Sequence, residues 1–143
     1  MKTEMLQGEG VSAPLILVAD DEPVNLALIR RRLEWEQYRV ETAEDGGQAV
    51  EAARRTLPDL IILDVMMPVM DGLQACRLLK ADPATRDIPV IVFSILAAAA
   101  RASDAGARAF LRKPIVESTF VAAVRLAISA PPSDVTEQQW STR

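Results

Sequence analysis

The chain has 143 residues, half of them hydrophobic, which is enough material for one domain with a single sizeable core. Its 16 basic and 20 acidic residues leave a net charge of −4, which argues against direct nucleic-acid binding. The single Cys76 excludes an intramolecular disulfide and a cysteine-clustered zinc site. Because the chain has no histidine, any metal must be held by oxygen ligands.

The ends of the chain differ from its middle. Residues 1–13 are polar and contain glycine, and residues 131–143 begin with two prolines, so we expect a flexible leader and a tail around one domain at 14–130. The leader lacks the apolar core of a signal peptide, and no apolar run approaches the roughly 20 residues of a membrane span. These features predict a cytoplasmic protein with no membrane partner.

Short apolar runs alternate with longer amphipathic stretches along the domain. Runs such as LILVA, LIIL and VIVF are apolar at consecutive positions, which is typical of strands buried on both faces of a parallel sheet. The pattern predicts an α/β, doubly wound five-stranded parallel sheet with its ligand site beyond the carboxyl ends of the strands. The predicted strands are Leu15–Ala19, Tyr38–Thr42, Leu60–Leu63, Val90–Ser94 and Ala109–Leu111. The predicted helices are 23–35, 46–56, 72–80, an alanine-rich stretch after the fourth strand, and 116–129.

Polar residues stand where these strands end. Asp20 and Asp21 follow the first strand, Asp64 follows the apolar run of the third, Ser94 ends the fourth and Lys113 follows the fifth. With the first strand beside the third, three carboxylates converge and need a cation, for which Mg²⁺ is the natural choice because it prefers hard oxygen ligands. A carboxylate surrounded by a divalent ion, an ammonium and a hydroxyl is suited to carry a phosphoryl group.

Each of these residues also has a simpler interpretation. The acid pair could cap the first helix, and Asp64 could be a turn residue at a strand end. Ser94 could be a small strand-end residue, and Lys113 a solvated loop lysine. The joint placement of all five at one edge of the predicted sheet favours the functional interpretation.

The same residues lie in five motifs, which are Leu17–Glu22, Asp59–Pro68, Met70–Gly72, Ile88–Ser94 and Phe110–Pro114. As a set, these motifs resemble the receiver domain of two-component response regulators, over roughly Leu15 to Ser129. The resemblance implies a flavodoxin-like, chemotaxis-regulator-like sheet with strand order 2-1-3-4-5.

The resemblance also implies a role for each site residue. Asp64 would be the phosphoryl acceptor, Asp21 a direct Mg²⁺ ligand, Asp20 a ligand mainly through water, and Met66 a ligand through its backbone carbonyl. Lys113 would pair with Asp64 and then with a phosphoryl oxygen, and the peptide bond that follows it, to a proline, is expected to be cis.

The resemblance further implies a conformational switch. Ser94 would hydrogen-bond the phosphoryl group, and Phe110 would turn inward into the space that the hydroxyl vacates. Two departures affect this region. Ile95 stands where the family has a small residue, and the segment from Ser94 to Lys113 is about one helical turn shorter than usual. We therefore expect tighter access for the donor and a short or irregular fourth helix around Leu96–Ala102.

The predicted function is a phospho-accepting receiver domain that is a stoichiometric acceptor and no enzyme. Its partners would be a histidine kinase or histidine phosphotransfer protein and a downstream protein effector, with a homodimer on phosphorylation as a further option. The chain is either a stand-alone receiver, which its initial Met favours, or part of a longer regulator or hybrid kinase.

Two other classes remain open. A degenerate receiver would bind partners without phosphorylation. A haloacid-dehalogenase-type phosphatase would need a second Asp where this chain has Met66, and this residue cannot transfer a proton.

Overall fold

The computed structural model describes residues 12–129. The predicted tail at 131–143 lies outside these residues, as does the predicted leader apart from residues 12 and 13. Within them, five strands alternate with five helices, as predicted. The strands are β1 (Leu15–Ala19), β2 (Arg39–Ala43), β3 (Leu60–Asp64), β4 (Val90–Ser94) and β5 (Ala109–Arg112). The helices are α1 (Pro23–Trp35), α2 (Gly46–Thr56), α3 (Gly72–Ala81), α4 (Ala99–Asp104) and α5 (Glu117–Ser129).

For the strands and for the other four helices, the predicted and observed ends differ by a residue at most, and the start of β2 shows why. The fourth helix begins three residues and ends two residues later than the stretch Leu96–Ala102 in which it was expected. Tyr38 was predicted to begin this strand, but its N–H donates to the Leu33 carbonyl at 3.1 Å. This bond closes the end of α1 across Gln37, whose φ of 77° lies in the left-handed region. Tyr38 therefore belongs to the helix terminus, and the strand starts at Arg39.

All five strands are parallel, in the order β2-β1-β3-β4-β5. The predicted strand order and doubly wound fold are therefore confirmed. Alternate residues of each strand enter two different cores, because successive side chains in a strand point to opposite faces. Ile16 and Val18 pack with α1 and α5, whereas Leu17 and Ala19 pack with α2, α3 and α4. Burial on both faces explains why the central strands are apolar at consecutive positions.

The fourth helix is short, as expected. It has six residues, and its N-cap is Ala98, which has no polar group to cap the helix. Its buried residue Ala102 packs into the same core as α2 and α3. Within residues 12–129, no helix combines the length and apolar character that crossing a membrane requires.

Candidate functional site

Three carboxylates meet at the carboxyl edge of the sheet because β1 and β3 are neighbours there. Asp20 and Asp64 are buried, with 0% and 5% of their surfaces exposed, while Asp21 is exposed. One oxygen from each of the three lies within 4.8 Å of the others. The sequence predicted that these three carboxylates converge at the ends of the strands, and the structure confirms it. Their spacing suits a single small cation.

Lys113 reaches the cluster from β5. Its Nζ lies 3.6 Å from Oδ1 of Asp64 and 3.5 Å from Oδ2 of Asp20. The backbone N–H of Lys113 donates to the Ser94 carbonyl at 2.9 Å, and the Lys113–Pro114 peptide bond is cis, as expected. The lysine therefore faces inward and is not a solvated loop residue.

The environment raises the pKa of Asp64 from 3.8 to about 6. The largest cause is burial, which removes water from the charged form. Lys113 and the backbone N–H of Met66 lower this pKa, while the charges of Asp20 and Asp21 raise it. The positive charge of Lys113 thus offsets the effect of burial on the Asp64 carboxylate only in part. The charge and oxygen donors of the cluster fit a hard divalent cation such as Mg²⁺.

The acid pair does not cap α1. The N-cap of this helix is Glu22, whose side chain makes no capping hydrogen bond. Instead, Oδ1 of Asp20 accepts from the Glu22 N–H at 3.0 Å, while its Oδ2 faces Lys113. Both oxygens of Asp20 thus have protein partners, whereas Asp21 extends to the surface of the site.

An open cleft of about 730 Å³ gives access to Asp64. One wall is the loop after β3, residues 65–71, and the other begins at Ile95 after β4. The lining residues are Asp21, Glu22, Asn25, Asp64, Val65, Met66, Met67, Pro68, Asp71, Ile95 and Lys113. The lining therefore combines apolar side chains from both walls with the carboxylates and Lys113.

The two predicted switch residues lie on the other side of the sheet from the lysine. Ser94 is fully buried, and its Oγ accepts from the Leu96 N–H at 3.0 Å. Phe110 is half-buried and packs against the α2–α3–α4 core. Neither residue lines the cleft. Their roles in switching stay a prediction.

Sequence reasoning missed three residues around the site. Phe93 was predicted only as part of a buried strand, but its ring lies under Lys113, with 4.7 Å between Nζ and the ring centroid. Gly72 leaves room for the Asp64 carbonyl, which would lie 2.1 Å from an added Cβ. Asn25 adds an amide to the cleft. The motif Met70–Gly72 contained a signal for Gly72. The roles of Phe93 and Asn25 depend instead on contacts between different elements of the fold.

Comparison with known proteins agrees with this geometry. Residues 16–125 match the family model of the response regulator receiver domain. The chain is 47% identical over 113 residues to the response regulator PleD of Caulobacter vibrioides. The matched region covers 77% of this chain and 25% of PleD. The chain thus spans about a quarter of the length of this curated relative.

Two solved receiver domains of histidine kinases share the fold. The domain from Syntrophus aciditrophicus has a TM-score of 0.78 and 37% identity, covering 87% of this chain and 96% of that one. The domain of PA1611 from Pseudomonas aeruginosa, solved with a magnesium ion coordinated in its active site cleft, has a TM-score of 0.78 and 31% identity, covering 83% and 100%.

A flavodoxin-like sheet with an acidic cleft at its carboxyl edge is the architecture of these signalling domains. The chain belongs to the response regulator receiver domain family. It is a receiver domain of two-component systems, in which receivers take phosphate from histidine kinases.

Proposed function

We propose that this receiver domain accepts a phosphoryl group on Asp64 in a Mg²⁺-dependent reaction. The observation that carries the proposal is the convergence of Asp20, Asp21 and Asp64 within 4.8 Å, beside Lys113, at an open cleft lined by Asp21, Asp64 and Lys113. Asp64 is buried at the end of β3, yet it lines the cleft, so a donor can reach it. The complete set of charged groups favours phosphorylation over a binding module that works without it.

The reaction forms a bond between a carboxylate oxygen of Asp64 and phosphorus, and it breaks the bond between phosphorus and the donor, which keeps the electron pair. A bound Mg²⁺ would neutralise negative charge on the phosphoryl oxygens. Lys113 supplies a second positive charge from the β5 side, because its Nζ is already 3.6 Å from Oδ1 of the acceptor. As a stoichiometric acceptor, the domain has no turnover substrate of its own.

The acids are expected to contribute unequally to the metal. Asp21 is exposed at the cleft and suits a direct ligand, while both oxygens of Asp20 already have protein partners, which suits a contribution through water. The Met66 carbonyl is the expected backbone ligand. The magnesium ion coordinated in the active site cleft of the PA1611 receiver domain supports the presence of Mg²⁺ in this cleft.

The phosphoryl group is expected to act on the β4–α4 region. Ser94 would exchange its bond with the Leu96 N–H for one with a phosphoryl oxygen, and Phe110 would then move into the space behind it. The changed surface would be recognised by a downstream protein effector. The donor would be a histidine kinase or histidine phosphotransfer protein.

Incubation with acetyl phosphate or phosphoramidate and Mg²⁺, followed by intact-protein and peptide mass spectrometry, tests the proposal. We expect one phosphoryl group on Asp64, none on Asp64→Asn, and none in the wild type when EDTA removes the metal.

Asp71→Asn is the matched control. Asp71 lines the same cleft, but its Oδ1 accepts from the Gln74 N–H at 2.8 Å as the cap of α3, and asparagine caps equally well. This variant should be labelled like the wild type. A phosphoryl group on Asp64→Asn, or an unlabelled wild type with small donors and with a cognate kinase, would contradict the assignment.

A further inference from the structure

Lys113 and Asp64 are separated by a strand that belongs to neither. Asp64 ends β3 and Lys113 follows β5, so β4 lies between them. Neighbouring strands are about 4.8 Å apart, and the lysine must therefore cross two strand spacings to reach the acceptor. The lysine side chain must therefore lie over the β4 side chain that stands between β5 and Asp64.

Phe93 is that side chain. It pairs with Asp64 in the β3–β4 register, and paired residues of parallel strands point to the same face. The ring is 1% exposed and packs in the α1–α5 core, which holds it in place. The Lys113 Nζ lies 4.7 Å from the ring centroid, within the range of a cation–π interaction.

We propose that Phe93 is a positioning residue for phosphoryl transfer, because its ring face holds the Lys113 ammonium beside the acceptor. This inference rests on the proposed function of Asp64. The ammonium is contacted by Asp20 at 3.5 Å, by Asp64 at 3.6 Å and by the ring. Without the ring face, the flexible four-carbon stem has more positions open to it, and the ammonium spends less time where phosphoryl charge develops.

Fluorination of the ring separates this role from packing. Each fluorine weakens the negative potential of the ring face while changing its size little, so a cation–π contact declines stepwise and a packing contact does not. Phe93 is replaced by amber suppression with 4-fluoro-, 3,5-difluoro- and 3,4,5-trifluorophenylalanine. The initial rate of Asp64 phosphorylation by acetyl phosphate is then measured at saturating Mg²⁺.

We expect the rate to fall with each added fluorine, to about one fifth of the wild-type rate in the trifluoro variant. Phe93→Leu, which keeps an apolar side chain without a ring, should lose about as much, three- to tenfold. Phe120 is the matched control, because it is 3% exposed in the same core. The same substitutions at Phe120 should leave the rate within a factor of about two if folding is retained.

Nuclear magnetic resonance gives a readout that needs no phosphorylation. The ring current should shift the ε-methylene protons of Lys113 upfield in the wild type, and Phe93→Leu should remove this shift. A wild type that shows the shift but is never phosphorylated contradicts the proposed function and not the placement of the lysine. A phosphorylation rate that is unchanged or increased by fluorination at Phe93, or lowered equally at Phe120, overturns the positioning role.

Discussion

The two walls of the cleft at Asp64 are built differently, although each follows a buried strand of the same sheet. The β3–α3 wall comprises residues 65–71, and the β4–α4 wall comprises residues 95–98. Backbone hydrogen bonds fix the first wall at both ends. Gly72 donates to the Val65 carbonyl at 2.9 Å, and Gly46 of α2 donates to the Met70 carbonyl at 3.0 Å. A capping box between Asp71 and Gln74 then starts α3.

The β4–α4 wall has weaker support. Two hydrogen bonds join the Leu96 N–H to Ser94 Oγ and the exposed Arg112 side chain to the Ile95 carbonyl, at 3.0 and 2.9 Å, and the Ala98 carbonyl accepts from the Ala102 N–H within α4. It leads into a six-residue helix whose N-cap is Ala98. We expect a new charge on Asp64 to move the weakly held β4–α4 wall and not the fixed β3–α3 wall. The response to phosphorylation is therefore expected at β4–α4.

The largest expected effect tests the fixed wall. In Gly72→Ala the new Cβ would lie 2.1 Å from the Asp64 carbonyl oxygen, which is backbone and cannot move aside without displacing Asp64 itself. We expect the free energy of unfolding to fall by about 3 kcal/mol. Urea denaturation measures this loss, with the slope of the transition as a check on two-state behaviour.

Gly47→Ala is the matched control for this prediction. Its Cβ would meet only side-chain atoms, the nearest being Asp45 Oδ1 at 3.3 Å, and alanine is the better helix former in α2. The control should be as stable as the wild type or more stable. Equal losses in both variants would show that the close contact at Gly72 does not support the wall.

The second effect concerns the charge between the walls. The pKa of Asp64 is about 6 when folded, against 3.8 ordinarily, and this difference corresponds to about 3 kcal/mol of lost stability for the ionised, metal-free protein. Asp64→Asn should therefore be more stable than the wild type by up to about 3 kcal/mol near pH 7.5 in EDTA. Thermal or urea unfolding in EDTA measures the difference.

The sign of the pH dependence follows from the raised pKa of Asp64. Between the two pKa values the folded wild type binds more protons than the unfolded chain, so its stability increases as the pH falls from about 6 towards 4. The advantage of Asp64→Asn should disappear over this window. Millimolar Mg²⁺ should reduce it near pH 7.5, because the metal stabilises the ionised carboxylate. An advantage independent of pH would contradict the raised pKa.

The third effect compares the walls through the lifetime of the phosphorylated protein. Met66 lines the cleft, and Leu96 follows the lining residue Ile95 on the opposite wall; the two side chains are 51% and 41% exposed. Neither side chain can orient a water molecule, so we expect slow hydrolysis. Met66→Asn should shorten the lifetime about fivefold, because asparagine on a fixed wall can hold a water in line. Loss of radiolabelled phosphate from purified protein with Mg²⁺ measures the lifetime.

Leu96→Asn is the companion variant on the weakly held wall. It should shorten the lifetime by no more than about twofold, since an amide there is held in fewer positions suited to attack. If Leu96→Asn accelerates hydrolysis as much as Met66→Asn, the two walls position water equally well. The proposed difference in rigidity between the β3–α3 and β4–α4 walls would then not hold in the phosphorylated protein.

The smallest expected effect comes from a substitution that stabilises the β4–α4 wall. Ala98 is the N-cap of α4, and Ala98→Ser introduces a hydroxyl that can accept from a backbone N–H of the first helical turn. We expect a gain of about 0.5–1 kcal/mol and slower hydrogen exchange in α4. A variant with unchanged exchange in α4 would show that the missing cap does not limit the stability of this helix.

Much of this protein could be predicted from the sequence because its determinants are local. Continuous apolar runs marked buried parallel strands, and the observed bounds of β1, β4, α1 and α2 agree with the predicted ones. The acids and the lysine were found because the carboxyl ends of parallel strands meet at one edge. The shortness of α4 also followed from the length and composition of its segment.

The tertiary structure alone decided which residues work together at the site. The contact of Phe93 with Lys113, the close approach of Gly72 to the Asp64 carbonyl and the ion pair of Asp20 with Lys113 each depend on how separate elements pack against one another. The raised pKa of Asp64 likewise arises from burial by the assembled sheet and helices. Periodicity reports which face of an element is buried, but distances of 3 to 5 Å between side chains depend on how strands and helices pack, and no local pattern encodes them.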